Sequence, residues 1–179
     1  MKNLIFRLAA ALISVLLPGC STGKSTAAIP AVTPFSAERY MGVWYEIARL
    51  PHRFERDLDN VSATYALRED GRVDVLNRGF RDGKERQAKG IAVFKGSPEV
   101  GELEVSFFRP FYAEYRIIAL ENDYSSAIVT SSTDNYLWIL ARTPRLPKEV
   151  LNRYLDRIRA WGFDLGSIEY PRQDAAALP

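Results

Sequence analysis

The sequence predicts an all-β protein, an eight-stranded up-and-down antiparallel β-barrel with one C-terminal α-helix packed on its outside. Three observations predict this fold. Most of the chain alternates apolar and polar side chains with period two, the pattern of strands with one buried face. Short turns rich in Gly, Asp and Asn separate these segments, which favours antiparallel neighbours. Only one later segment has the period of an amphipathic helix.

The start of the chain has the composition of a secretory leader. It begins with basic residues, and its apolar stretch, residues 8–17, is shorter than the ~20 residues needed to span a membrane. Residues 17–20, Leu-Pro-Gly-Cys, place the single cysteine where a bacterial lipobox would have it. Residues 1–19 are therefore predicted to be a lipoprotein signal peptide, with Cys20 as the lipid attachment site. The alternative is an ordinary cleaved signal peptide with an incidental cysteine.

Three further segments complete the predicted organisation. Residues 20–34 are small, polar and Pro-containing, which predicts a flexible tether that carries the lipid. The folded domain is predicted to span residues 35–171, and Ser36 is predicted to cap a short helical turn that ends at Tyr40. Residues 172–179 are predicted to be a mobile tail.

The strands are predicted from their alternation and from the turns between them. The clearest case is the segment from Glu102 to Phe107, in which charged or small side chains alternate with apolar ones. A longer, charged stretch over residues 51–60 is predicted to be a lip loop. The predicted strands are residues 43–50, 61–68, 72–80, 86–95, 102–108, 113–121, 125–131 and 136–142.

The helix is predicted after these strands. Pro147 suits a first helical turn, and the apolar side chains between Val150 and Trp161 lie on one helical face. Gly162 is placed to end the helix. A short strand over residues 167–170 is predicted to follow.

The charge balance excludes one class of partner. Removing residues 1–19 takes away two of the 24 Lys and Arg residues and none of the 22 Asp and Glu residues, so the remaining formal charge is about zero. No basic stripe is left to attract nucleic acid.

The residue inventory offers little to catalysis. A single cysteine excludes an intrachain disulfide, and the single histidine, His52, has no evident carboxylate partner in the sequence. We therefore expect no catalytic triad, no metal cluster and no cofactor. The prediction is a protein that is not an enzyme.

Several motifs, taken together and in order, carry a family resemblance. Residues 40–49 read Tyr-Met-Gly-Val-Trp-Tyr-Glu-Ile-Ala-Arg, residues 133–136 read Thr-Asp-Asn-Tyr, and Arg142 ends the last predicted strand. With these, the chain resembles the lipocalins from about residue 35 to residue 170. Lipocalins often carry Thr-Asp-Tyr at this turn, and Asn135 is inserted relative to that pattern. Residues 52–56 and 105–112 are similar to the bacterial outer-membrane lipoprotein lipocalins specifically.

Three residues of these motifs are predicted to be structural. Trp44 is expected to plug one end of the barrel, with the Arg142 guanidinium across its indole face. Such a cation–π contact contributes roughly 1–2 kcal/mol when shielded from water. Gly42 permits the tight chain entry that this arrangement needs.

Inward-facing side chains are the candidates for a ligand cavity. On the fifth strand they are Leu103, Val105 and Phe107, and we add three nearby aromatic residues, Tyr112, Tyr115 and Trp138. The alternative is that these side chains simply fill the barrel.

The long loop after the first strand supplies candidates for headgroup binding. His52, Arg53 and Arg56 lie at the expected open mouth, where charge-assisted bonds could receive a carboxylate or phosphate. The alternative is a solvated loop. Arg116, beside Tyr115, is a weaker polar candidate.

The resemblance implies a lipid-anchored protein of the bacterial outer membrane whose barrel faces the periplasm. It would bind, store or transport fatty acids or lysophospholipids for membrane maintenance and under stress. Cys20 would carry a diacylglycerol thioether and an N-linked acyl chain such as palmitate. Lipocalins that are isomerases rely on a cysteine inside the barrel, where Cys20 does not lie. The rival interpretation is an envelope interaction module with a filled barrel, in which the aromatic run over residues 107–112 meets a partner or a second copy in a homodimer.

Overall fold

Eight antiparallel strands close into a barrel in chain order, because the last strand returns to pair with the first. Each strand begins and ends within two residues of its predicted bounds, so the predicted fold class is confirmed. The strands are β1 (Gly42–Arg49), β2 (Asp59–Leu67), β3 (Val73–Arg81), β4 (Lys84–Phe94), β5 (Glu102–Phe108), β6 (Phe111–Leu120), β7 (Ser126–Thr130) and β8 (Leu137–Ala141).

The structure, a computed structural model, describes residues 23–53 and 55–174. The predicted signal peptide (residues 1–19), the predicted lipid-attachment residue Cys20 and the last part of the predicted tail (residues 175–179) lie outside the described residues.

The two ends of the barrel differ. The short helix α1 (Ala37–Tyr40) precedes β1 and packs into the core, and the Ser36 side chain caps it by accepting from the Arg39 amide at 3.3 Å. We call this the closed end. Because the strands alternate in direction, the loops of residues 50–58, 82–83, 109–110 and 131–136 all lie at the opposite end, which we call the open end.

The second helix, α2 (Lys148–Ala160), begins directly after Pro147 and packs on the outside of the barrel. Its Tyr154 and Ile158 side chains are fully buried. The Tyr154 hydroxyl donates to the Ser126 carbonyl at 3.0 Å, which ties the helix to β7. All five residues of β7 are buried as a result, since one face meets the barrel interior and the other meets the helix.

The chain after α2 differs from the predicted strand over residues 167–170. Residues Leu165–Ser167 form a 3₁₀ turn, because the Asp164 carboxylate accepts from the Gly166 amide at 2.9 Å and from the Ser167 hydroxyl at 2.6 Å. Only an isolated bridge between Arg49 and Glu169 has strand geometry. Within the described part of the chain, no helix has the length and apolar character required to cross a membrane.

The amino-terminal segment also differs from its prediction as a flexible tether. Residues 24–34 run along the outside of the barrel, where Thr26 is buried. The Thr26 carbonyl accepts from Arg116 Nη1 at 2.9 Å, and the Val32 amide donates to the Ile117 carbonyl at 2.8 Å. The segment is held because its backbone groups find partners on β6, which its small, polar composition does not reveal.

The first residues of the predicted mobile tail are held in the same way. The Gln173 side chain donates to the Glu46 carbonyl at 2.8 Å and to the Val61 carbonyl at 2.9 Å. The Arg172 amide donates to the Asp59 carboxylate at 3.0 Å. These bonds fix residues 172–174 against β1 and β2.

Candidate functional site

The barrel encloses a cavity of about 110 Å³. Its wall is largely apolar because inward positions on β3 and β4 carry Val73, Val75, Ala92 and Phe94. The interior is therefore not filled by the barrel's own side chains, and its character suits an apolar ligand.

Five of the six predicted cavity residues line this space. On β5 they are Leu103, Val105 and Phe107, which alternate inward as the period of two requires. Tyr115 on β6 and Trp138 on β8 complete the five. Phe107 lies nearest the open end and is 38% exposed.

The sixth predicted residue, Tyr112, does not line the cavity. It lies on β6 with 44% of its side chain exposed. Tyr115 faces inward, and residues three apart on a strand point to opposite faces, so both tyrosines cannot line the same cavity.

The closed end is built around Trp44, which is fully buried. The Arg142 guanidinium carbon lies 3.9 Å from the centre of the Trp44 ring system. Arg142 also donates to the backbone carbonyls of Val43 at 3.0 Å and Arg39 at 2.7 Å. Gly42 has φ +93°, and a Cβ there would meet Arg142 Nη1 at 3.3 Å, so both conformation and space favour glycine.

Three tyrosine hydroxyls form the floor of the cavity. The Tyr115 hydroxyl lies 2.8 Å from that of Tyr40 and 3.0 Å from that of Tyr65. Burial raises the pKa of all three hydroxyls, that of Tyr65 to about 12. The floor is therefore polar but uncharged at neutral pH.

Nearer the open end, two carboxyls line the cavity, Glu46 on β1 and Glu55 in the loop between β1 and β2. Glu46 Oε1 lies 2.7 Å from Arg49 Nη1. Glu55 Oε2 lies 2.9 Å from His52 Nε2 and accepts from the Trp138 indole N–H at 3.0 Å. The partner of each carboxyl thus comes from β1 or the loop that follows it.

The two carboxyls differ in protonation. Burial raises the pKa of Glu46 well above its ordinary value, and the nearby charge of Glu55 raises it further. Burial opposes ionisation of Glu55 as well, but hydrogen bonds from His52, Trp138 and Glu46 together lower the pKa of Glu55. The pKa of Glu46 is thus raised and that of Glu55 lowered, so Glu46 is the carboxyl of the pair that keeps its proton to higher pH.

A third acceptor faces the same space. The Asn77 side-chain oxygen is buried, has no hydrogen-bond partner in the structure and lies on β3, one strand beyond β2. Asn77 pairs with Ala63, and Ala63 pairs in turn with Trp44, so Asn77 shares the wall that carries Glu46. This wall presents hydrogen-bond acceptors to the cavity.

The three predicted mouth residues differ in their surroundings. His52 lies against the rings of Tyr136 and Trp138 and pairs with Glu55. Arg53 and Arg56 are exposed at the open end and do not line the cavity. Headgroup binding by Arg53 and Arg56 stays a prediction.

Arg116, the weaker polar candidate, faces outward and holds the amino-terminal segment. Glu46 could have been found, because it follows Trp44 by two residues and so shares its inward face. Glu55 lies in a loop, where no periodicity indicates direction. Among residues 23–53 and 55–174, no cluster of three or more His, Cys, Asp or Glu side chains could hold a metal ion.

Comparison with known proteins gives a consistent result. The family model described as Lipocalin-like domain matches residues 35–173. The outer membrane lipoprotein Blc of Citrobacter freundii is 41% identical over 170 residues, which cover 94% of this chain and 96% of that protein. The protein of the same name from Escherichia coli (strain K12) is 43% identical over 167 residues, with coverages of 92% and 94%.

More distant matches extend beyond bacteria. Apolipoprotein D of Mus musculus is 34% identical over 145 residues, 76% of each chain. Among solved structures, insecticyanin from the tobacco hornworm Manduca sexta superposes with a TM-score of 0.70 at 20% identity, covering 83% of this chain and 86% of that one. At that identity the likeness shows the fold alone.

Proposed function

Because the chain belongs to the lipocalin family, a family of binding and transport proteins, we propose that its barrel binds, stores or transports lipids in the bacterial envelope. The observation that carries this proposal is the apolar cavity of about 110 Å³. Removing an acyl methylene from water contributes ~0.8 kcal/mol. A chain threaded between Leu103, Val105 and Phe107 would gain this contribution for each methylene that it buries.

The hydrogen-bond acceptors in the cavity wall indicate which kind of headgroup the lipid would have. Glu55, whose pKa is lowered, and the Asn77 side-chain oxygen, which has no hydrogen-bond partner in the structure, favour a group that donates hydrogen bonds or carries positive charge. A free fatty-acid carboxylate would meet an ionised carboxylate there. Within the predicted cargo classes, this favours an amine-bearing lysophospholipid over a free fatty acid.

The membrane attachment rests on the leader and on the relatives. Residues 17–20 have the lipobox pattern, and three of the most similar relatives are named outer membrane lipoprotein. Cys20 would carry a diacylglycerol thioether and an acyl chain such as palmitate, and several chains together make a durable anchor. The protein would thus sit on the outer membrane with its barrel in the periplasm, where membrane maintenance, including under stress, requires lipid binding.

Native mass spectrometry tests the cargo. Residues 21–179, exported to a periplasm and purified without detergent, should carry an adduct that organic extraction releases as an acyl lipid. Val105→Trp fills the cavity and should abolish the adduct. Glu104→Trp places the same side chain on the opposite face of β5 and should retain it. A bare mass in wild type, together with failure to take up added lysophospholipid, would contradict the proposal.

One observation favours the second candidate function, an envelope protein-interaction module. Phe108 and Phe111 are 82% and 77% exposed at the turn between β5 and β6. An envelope interaction module would use such a surface for a protein partner or a second copy. The cavity inside the barrel, however, supports lipid binding over a filled barrel.

A further inference from the structure

The amino-terminal segment leaves the barrel at its open end. The Lys24 amide donates to Asp134 Oδ1 at 2.7 Å, and the Asp134 amide donates to the Lys24 carbonyl at 2.9 Å. The next two residues continue this contact, since Ser25 bridges Thr133 and the Thr26 amide donates to the Ser132 carbonyl. The loop that they contact joins β7 to β8 at the open end.

This position limits where a lipid on Cys20 can reach. Lys24 lies four residues after Cys20, and four steps of fully extended chain at ~3.6 Å each span at most roughly 14 Å. An acyl group on Cys20 therefore lies within that distance of the rim of the open end. The closed end faces the other way along the barrel.

Two exposed aromatic side chains project from the same rim. Phe108 and Phe111 flank the turn between β5 and β6, which contains Arg109 and no acidic residue. Since β6 pairs directly with β7, this hairpin neighbours the β7–β8 loop that holds Lys24, about 10 Å away at two strand spacings.

The β5–β6 hairpin also extends beyond the end of β7, toward the membrane that would hold the anchor. Thr130, the last residue of β7, pairs with Arg116, so the five residues from Phe111 to Tyr115 continue beyond it. At ~3.4 Å per residue they extend roughly 17 Å along the strand. The anchor can span up to ~14 Å from Lys24, so the lipid can reach the level of the hairpin tip.

We infer that the anchored barrel stands with its open end against the lipid bilayer, and that Phe108 and Phe111 insert into the headgroup region. The inference rests on the proposed acylation of Cys20. The bilayer is the occupant of the aromatic surface because the chain outside the structure ends in an anchor beside it. Arg109 between the two aromatics can contact lipid phosphates.

The arrangement has a consequence for cargo. Phe107 lines the cavity and directly precedes Phe108 in the hairpin. An apolar surface therefore runs from the cavity wall to the membrane-facing tip. A lipid could leave the leaflet and enter the barrel without crossing bulk water.

Site-directed spin labelling tests the inference with the complete lipidated protein. Cys20 is the only cysteine and is acylated, so an added cysteine is the only free thiol. Phe108→Cys labels the open end. Glu69→Cys labels an exposed turn between β2 and β3 at the closed end and is the matched control. Both proteins are reconstituted on vesicles of phosphatidylethanolamine and phosphatidylglycerol, floated, and measured for collision with oxygen and with a water-soluble nickel chelate.

We expect the label at residue 108 to collide more with oxygen than with the nickel chelate, because it lies ~5–10 Å deep in the bilayer. The label at residue 69 should collide more with the nickel chelate. If both labels favour nickel on floated protein, the orientation is overturned while the anchor stands. A residue-108 label shielded from both quenchers would show a protein contact, such as a second copy, and would also overturn it. Failure of the protein to float would instead overturn the acylation of Cys20, and the inference with it.

Discussion

The guanidinium of Arg142 lies 3.9 Å over the ring of Trp44, and this contact joins the last strand of the barrel to the first at the closed end. Arg142 donates as well to the carbonyls of Val43 and Arg39 in the segment that enters the barrel. A single side chain thus holds both ends of the sheet and the chain entry together.

Removing this side chain should destabilise the fold. We expect Arg142→Ala to lower the free energy of unfolding by about 2–4 kcal/mol, because hydrogen bonds from a charged donor and a cation–π contact are lost together. Urea unfolding monitored by circular dichroism measures the change. Arg145→Ala removes the same charge from an exposed position nearby and should cost less than ~0.5 kcal/mol. Equal effects of the two substitutions would contradict the role of Arg142.

The buried carboxyl of Glu46 should make stability depend on pH. Its pKa is raised in the folded protein, so the folded state keeps a proton that the unfolded state loses above about pH 4.5. The contribution of Glu46 to the free energy of unfolding is therefore largest below about pH 4.5. It falls as the pH rises, by at most ~1.4 kcal/mol per pH unit, until the pH exceeds the pKa of Glu46 in the folded protein.

Glu46→Gln should remove this dependence, because the amide resembles the neutral carboxyl in shape and still donates to Glu55. The free energy of unfolding of the variant, measured relative to that of wild type, should therefore be higher at pH 8 than at pH 5. Urea unfolding at the two pH values measures the gain. A difference between the two proteins that stays constant with pH would show that Glu46 is ionised in the folded state.

Ligand selectivity should follow the acceptors in the wall. Below their micellar concentrations, dodecylammonium should bind about tenfold more tightly than dodecanoate, since ionised Glu55 attracts one and repels the other. Displacement of a fluorescent fatty amine measures both affinities. In Glu55→Gln the preference should shrink, while the affinity for the uncharged dodecanol changes little. A wild-type preference for dodecanoate would contradict the proposed polar end.

The amino-terminal segment should depend on Arg116. We expect Arg116→Ala to speed hydrogen exchange of the Thr26 and Val32 amides at least tenfold, because bonds from a charged donor worth about 1.5–3 kcal/mol are lost. The core amide of Ile128 should exchange as in wild type. Arg159→Ala, on the exposed face of α2, is the control. Unchanged exchange at Thr26 would show that other contacts hold the segment.

The parts of the fold that the sequence predicted are those with a clear hydrophobic period. Alternation along β5 identified Leu103, Val105 and Phe107 as inward, because three matching positions on one strand leave a single choice of face. Tyr112 was placed by its nearness in sequence to β5 and not by alternation, and it lies three residues before the inward-facing Tyr115, on the opposite face of β6.

Contacts between distant segments account for what the sequence did not predict. Residues 24–34 have the composition of a tether, and only the position of Arg116, some 90 residues later, shows that they are held. Glu55 enters the cavity wall because His52 and Trp138 fix its carboxylate. Neither relationship has a periodicity or a spacing that a single sequence reveals.

The affinity of the barrel for acyl chains of increasing length tests the central claim most directly. Titration of residues 21–179 with lysophosphatidylethanolamines from eight to eighteen carbons should show affinity rising by up to roughly fourfold per methylene until the cavity is full. Val105→Trp should end the rise at a shorter chain. Affinity that stays flat across the series would contradict a cavity that binds lipid.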